Sequence, residues 1–522
     1  MRKISILDST LRDGAQAEGI SYSVSDKIKI ALALDELGID YIEAGNPGSN
    51  QKDLDFFKEA ASLEFKNSKL VAFGSTRRCN IKVEDDPNVK ALLDAKTKAI
   101  CVFGKSWDFH VENIINTTLD ENLNMIYDTI SYLTAKGIEV FYDAEHYFDG
   151  FKANKEYALE TVKKAEEAGA KCIVLCDTNG GMFPDELAFI VDETKKHINV
   201  ELGIHTHNDC GMAVANSIIA VQNGVKQIQG TFLGYGERCG NANLSAIIAN
   251  LQIKRGYECL PSDCLGKLTL TAKMIAEISN LNLDNNLPFV GKSAFSHKAG
   301  MHIDGVYKNS KSFEHVDPEL VGNERRFLIS EVAGKSTVLA KIKKLYPDVE
   351  KNNPVLNDII NTIKNLEYGG YQFEGADASF ELIVHKAFNN FVPRFNVENF
   401  KIIGESPAKE NETASALIKV KVDGVEEITG ANGEGPVDAL NNALRKAIGH
   451  FYPILNEVHL AEYKVRILDG KESATKAMTR VIIESTDGKS SWSTVGVSRD
   501  IIAASFKALI DSIDYKLFKE RL

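Results

Sequence analysis

The chain has 522 residues, 44% of them hydrophobic, and a formal charge of −12 at neutral pH, enough for two or three domains around a large core. An acidic balance without a basic stripe argues against nucleic acid as a partner, and no apolar run approaches the ~20 residues of a membrane span. Eight scattered cysteines form no Cys-x-x-Cys pair, and the first residues run straight into a strand with no signal peptide, so a cytoplasmic protein with reduced thiols is expected.

Short apolar runs recur at residues 4–7, 41–44, 70–73, 99–103, 139–142, 172–176, 202–205 and 227–231. Between them lie stretches of 3.6-residue periodicity, such as 26–37 and 157–168, and a further helix follows Asn241. Strands apolar on both faces belong to a parallel sheet covered by helices. Eight of them alternating with helices predict an α/β fold that begins with a (β/α)8 barrel.

Barrel enzymes carry their chemistry at the C-terminal ends of the strands, and polar residues stand there strand after strand. Arg12 and Asp13 follow the first and Glu43 ends the second. Ser75-Thr76-Arg77-Arg78 follows the third and Lys105 the fourth. Glu145 and His146 follow the fifth, Asp177 and Thr178 the sixth, His205 and His207 the seventh. The eighth leads into Gly234-Tyr235-Gly236-Glu237-Arg238-Cys239-Gly240-Asn241-Ala242-Asn243. Two residues apart on a strand, His205 and His207 share one face. If strands one and seven converge, Asp13, His205 and His207 make a divalent-metal site with two nitrogens, one oxygen and open positions. Such an ion can chelate a 2-oxo acid and polarise its carbonyl. Arg12, next to the metal carboxylate, suits a developing oxyanion. Glu43 either fixes Arg12 by a charge-assisted bond or is an ordinary barrel-top salt bridge. Thr178 either binds a substrate carboxylate or caps a helix. Glu145 and His302 are the candidates for a general base, His302 requiring its segment to fold over the barrel mouth.

Beyond the barrel, 268–278 reads as a helix, 282–323 as loop-rich, and helices follow near 338–345 and 356–366. From about Ala376 the chain turns strand-rich, with 380–385, 416–422 and 480–485 alternating apolar and polar residues. Residues 428–436 lead into a helix at 437–448, and 493–498 into one at 499–513, as two copies of a strand, Gly-turn, helix unit. The Gly-rich turns either hold an anion at the helix start or are simply turns. The expected division is a catalytic barrel at 1–270, a helical linker subdomain at 271–372 and an α+β regulatory domain at 373–522.

At these residues the chain resembles the metal-dependent acyl-CoA condensing enzymes, the isopropylmalate, homocitrate and citramalate synthases. They belong to a barrel superfamily named for an Asp-Arg-Glu triad, which Asp13, Arg12 and Glu43 match. Leu11-Arg12-Asp13-Gly14, His205-Thr206-His207-Asn208-Asp209 and Gly236-Glu237-Arg238-Cys239-Gly240-Asn241 carry the resemblance, which extends over the whole chain. It implies a divalent metal (manganese, zinc, magnesium or cobalt) on Asp13, His205 and His207, with Asn241 as a further ligand. Segments 43–49, 103–107, 141–150 and 318–325 look most like a citramalate-forming branch. The implied reaction is a Claisen-type condensation of acetyl-CoA with pyruvate, then hydrolysis to (R)-citramalate and CoA, in isoleucine and branched-chain amino-acid biosynthesis. Arg12, Glu43 and Thr178 would bind substrate, and Glu145 and His302 match positions tied to proton removal. The resemblance also implies a homodimer and an amino-acid effector, isoleucine, on the C-terminal domain. Two positions depart from the pattern. Phe313 replaces a tyrosine that relatives place near the acyl group, and Asp143 stands where some relatives line a pyruvate methyl pocket. The rival readings are condensation with a longer 2-oxo acid, a metal-dependent lyase on the same barrel, and a non-catalytic amino-acid sensor.

Overall fold

All eight expected barrel strands form: β1 Ser5–Asp8, β2 Tyr41–Gly45, β3 Lys69–Ser75, β4 Ala99–Lys105, β5 Glu139–Glu145, β6 Cys172–Asp177, β7 Glu201–Thr206 and β8 Gln227–Gly230. Each pairs in parallel with the next, and β8 pairs with β1 to close the barrel. This computed structural model describes residues 2–328, 335–350, 352–409, 412–468 and 477–521. They divide into two units, Met1–Phe295 with Val316–Arg325, and Ser296–His315 with Arg326–Leu522.

Alternation along the strands sorts side chains to two sides of the barrel. Leu7, Val71, Cys101, Phe141, Cys172 and Val174 fill one cluster. Their neighbours Ile6, Ala72, Ile100, Val140, Ile173 and Leu175 belong to the larger core shared with the surrounding helices. The first helix, Val24–Leu37, begins with a capping box between Ser23 and Asp26 and ends at the left-handed Gly38. At the N-terminal ends of the strands, Glu139 takes salt bridges from Lys69 at 2.5 Å and Lys171 at 2.7 Å, and the Tyr41 hydroxyl joins them at 3.1 Å. The opposite rim is left for chemistry. All eight cysteines are free thiols.

The second unit corrects two expectations. Within the stretch read as loop-rich, Gly300–Lys308 is a helix that buries Ile303 and Val306, three residues apart on one face. Residues 380–385, expected as a strand, lie inside the helix Asp377–Ala387. The alternation there is real, since Ala378, Phe380, Leu382 and Val384 are all buried, but Ser379 and His385 are buried too. A short helix enclosed on several sides mimics a period of two. The C-terminal repeat is as expected. β9 Phe395–Lys409, β10 Glu412–Val422 and β11 Val425–Gly433 form an antiparallel sheet followed by the helix Pro436–Ile448. β12 His459–Ile467, β13 Thr479–Thr486 and β14 Ser491–Ser498 form a second, followed by Ile501–Lys519. In each copy of the repeat a strand glycine admits the helix backbone. A Cβ on Gly433 would lie 2.3 Å from Ala439 N, and one on Gly496 2.0 Å from Ala504 O. No helix among the described residues is long and apolar enough to cross a membrane.

Candidate active site

After β1 the chain turns tightly. The backbone N–H groups of Arg12 and Gly14 both donate to Ser9 O, and the Asp13 N–H donates to Ser9 Oγ. This presents Arg12 and Asp13 together at the barrel rim. Arg12 Nε donates to Glu43 Oε2 at 2.7 Å and Nη1 to Asp13 Oδ2 at 3.0 Å. Its guanidinium carbon lies 3.8 Å from the centroid of the Phe73 ring. Burial works against the Arg12 charge, but Glu43 and Asp13 outweigh it and hold the group more firmly protonated than usual. For Asp13, burial pushes the carboxyl up, yet Arg12 and then His205 and His207 hold it well below the ordinary carboxylate range.

His205 is the last residue but one of β7, and His207 stands just past the strand's end. Their Nε2 atoms lie 3.4 Å apart, and stand 3.5 and 3.9 Å from Asp13 Oδ2. Burial and the neighbouring His205 lower His207 to about 4, so it is neutral at physiological pH. The loop after β8 is strapped to this strand end by Asn208 N–H to Gly240 O and Ala242 N–H to Thr206 O, both at 2.9 Å. Asn241 thereby bridges to His207. Its Nδ2 donates to Tyr235 O at 3.2 Å, which fixes the amide. Gly236 is required beneath it, because a Cβ there would sit 2.1 Å from Asn241 Nδ2.

The donor set fits a divalent ion. Asp13, His205 and His207 each offer a ligand atom within 4.8 Å of the others. Asp13 Oδ1 and Asn241 Oδ1 are buried acceptors without a hydrogen-bond partner, an arrangement that costs free energy unless something binds them. Two imidazole nitrogens and two oxygens suit a borderline metal.

Beside these residues opens a cavity of about 220 Å3 lined by Arg12, Asp13, Phe73, Phe103, Asp143, Glu145, Thr178 and both histidines, among others. Phe73 and Phe103 stack at 5.1 Å and wall one side. Glu145 is salt-bridged to Lys105, its neighbour across β4 and β5. Thr178 Oγ1 accepts the N–H of His146 at 2.9 Å, next to the start of the helix Tyr147–Ala153. Arg238 grips Asp209 with two bonds, at 2.8 and 3.0 Å, and donates to Thr178 O at 2.7 Å, tying three strand-end loops together. Eight sequence candidates thus converge: Arg12, Asp13, Glu43, Glu145, Thr178, His205, His207 and Asn241. His302 belongs to the second unit. It lies on Gly300–Lys308, where its ring stacks on Phe313 at 4.1 Å.

Known proteins match along the whole chain. Residues 3–281 fit the HMGL-like family, 289–369 the homocitrate synthase post-HMGL domain-like family, and 374–517 the LeuA allosteric (dimerisation) domain. The (R)-citramalate synthase of Aquifex aeolicus is 49% identical, over 99% of this chain and 98% of that one. The chain belongs to the (R)-citramalate synthase family. The (R)-citramalate synthase of Geobacter sulfurreducens is also 49% identical, with the same shares covered. The 2-isopropylmalate synthase of Methanocaldococcus jannaschii is 31% identical over 99% of this chain and 95% of its own. Strand-end position and the His-x-His spacing drew attention to Asp13, His205 and His207, and the resemblance added Asn241, but neither reached their supports. Ser9, Phe73 and Gln229 escaped the sequence reading. The signal for Gln229 was present, because Gln227 and Gln229 put two amides on one face of an otherwise apolar strand.

Proposed function

We propose that this chain condenses acetyl-CoA with pyruvate and hydrolyses the adduct to (R)-citramalate and CoA. The observation that carries the reading is the convergence of Asp13, His205 and His207 at one rim of a barrel, in a chain similar end to end to (R)-citramalate synthases. These three residues, with Asn241, would hold one divalent ion, and manganese, zinc, magnesium and cobalt all suit the set. Bound there, the ion supplies a Lewis acid for the carbonyl of the 2-oxo acid.

The protein's own groups do the rest. Thr178 accepts from His146, which leaves its O–H to donate to the pyruvate carboxylate. A base removes a proton from the acetyl methyl group, and the carbon forms a bond to C2 of pyruvate. The C2 oxygen takes up the electron pair of its carbonyl and is then protonated. Arg12, its plane fixed by Glu43 and Phe73, stabilises that oxygen as charge develops. Water then cleaves the thioester and CoA leaves. Glu145, in the cavity wall, is the favoured base, with Lys105 holding the carboxylate in place. His302 is the second candidate, and Phe313 orients its ring by stacking without offering a hydroxyl. Deuterium wash-in to the acetyl methyl group separates the two. Glu145→Gln is expected to abolish exchange while His302→Asn retains it, and the reverse pattern would reassign the base.

The work divides as 1–270 for catalysis, 271–372 for the linker and 373–522 for regulation by isoleucine, in a cytoplasmic homodimer. CoA-thiol release by manganese-loaded protein tests the central reading. Pyruvate is expected to outpace 2-oxobutyrate, 2-oxoisovalerate and 2-oxoglutarate. Faster release with a longer acid would keep the mechanism and change the product. No release with any of them would refute condensation.

A further inference from the structure

His205 and His207 are not supported alike. His205 Nδ1 lies 3.0 Å from Gln229 Oε1, on the adjacent strand in direct register. His207 Nδ1 is buried with no partner. The orientation of the Gln229 amide is fixed from its other side, where Nε2 donates to Asp143 Oδ1 at 2.9 Å. A carboxylate oxygen accepts and does not donate, so the NH2 end of the amide faces Asp143 and the oxygen faces His205. An amide oxygen has no proton to give. The shared hydrogen therefore belongs to His205 Nδ1, which in the neutral ring leaves the lone pair on Nε2, the nitrogen that faces Asp13 and His207. All three residues are buried, with Gln229 wholly inaccessible.

We infer that Gln229 is a positioning residue that holds His205 in the Nδ1–H tautomer for metal binding, with Asp143 setting the direction of the amide. The arrangement gives Asp143 a use. Where some relatives line a pyruvate methyl pocket, this chain has a carboxylate whose oxygen orients a side chain on β8. The ligand is held as metal-binding histidines generally are, by a hydrogen bond from the nitrogen that does not coordinate. The other histidine lacks such a bond, so most of the tautomeric order of the pair rests on Gln229.

The inference builds on the metal reading above, and titration of manganese into parent and variants by calorimetry separates the two. Gln229→Leu is expected to weaken manganese binding about 10–100-fold with an unchanged circular-dichroism spectrum. Gln229→Glu combined with Asp143→Asn, which keeps an acceptor for the Nδ1 hydrogen and a donor–acceptor pair between the two side chains, is expected to bind closer to the parent value than Gln229→Leu. Parent and Gln229→Leu binding equally well would overturn the role of Gln229 and leave the metal site standing. A parent that takes up no manganese would remove both. The ring nitrogens give a reading on the unmodified, metal-free protein even if Gln229→Leu does not fold. With 15N-labelled histidine at pH 8.5, His205, assigned by its loss in His205→Asn, is expected to show the Nδ1–H pattern. An Nε2–H pattern would overturn the proposal.

Discussion

Arg12 is held from three sides, by Glu43 at Nε, by Asp13 at Nη1 and by the face of Phe73. A lysine keeps the charge but cannot bridge two carboxylates in one plane or stack on the ring. Arg12→Lys is therefore expected to lower kcat about 10²–10³-fold, the usual loss when one oxyanion donor is misplaced. Manganese affinity should change little, because the ligands remain. Steady-state kinetics beside a calorimetric titration would check this split, and a large loss of metal binding would place Arg12 in the ligand frame instead. The same site shows how burial and charge compete. Asp143 is raised by burial and then by Glu43, whereas Asp13, as deeply placed, is held low chiefly by the Arg12 guanidinium.

At the scale of elements, the loop after β8 and the N-terminal rim of the barrel make separate predictions. Gly236→Ala adds a Cβ against the Asn241 amide and at a φ of 156°. It should cost about tenfold or more in metal affinity while the barrel's circular-dichroism signal persists. Unchanged affinity would argue that Asn241 is not a ligand. At the opposite end, burial would raise the Glu139 carboxyl, but hydrogen bonds from Lys171 and then Lys69 prevail and bring it from 4.5 to about 2. A pKa lowered in the folded state stabilises the fold above the unfolded value. That contribution disappears as pH falls through the folded one. With the cluster partly open to solvent, Glu139→Gln should cost about 1–2 kcal/mol at pH 7. Urea denaturation of parent and variant should show the gap narrowing only below about pH 4.5. A gap constant from pH 7 to pH 3 would count against the linkage.

For the whole molecule, a metal that joins β1, β7 and the loop after β8 must also stabilise the fold by mass action. Chelation of the loaded protein is expected to lower Tm, and manganese at 100 times its Kd to return about 2.7 kcal/mol. Isoleucine, if it is the effector, should raise Tm with the metal removed, because its proposed domain carries its own core. A rise seen only in the presence of metal would place isoleucine in the barrel.

Much of this protein was legible in its sequence because the signals are local. A strand apolar on both faces, a helix cap and a His-x-His pair each lie within a few residues, so the eight barrel strands and the two histidines proposed as ligands could be read directly. The helix Asp377–Ala387 was misread because burial on several sides erased the period that distinguishes helix from strand. The departure at Asp143 was visible, but its use was not. Gln229 and Asp143 are 86 residues apart, and Arg12 and Glu43 31 apart. Closing the barrel brings such pairs within hydrogen-bond distance, and the amide direction, the stacked guanidinium and the unpartnered Asn241 oxygen exist only once it has closed. Residue type and local period determined the barrel architecture and the residues proposed as metal donors. The tertiary structure decided which nitrogen of His205 faces the site, because that depends on contacts made across strands.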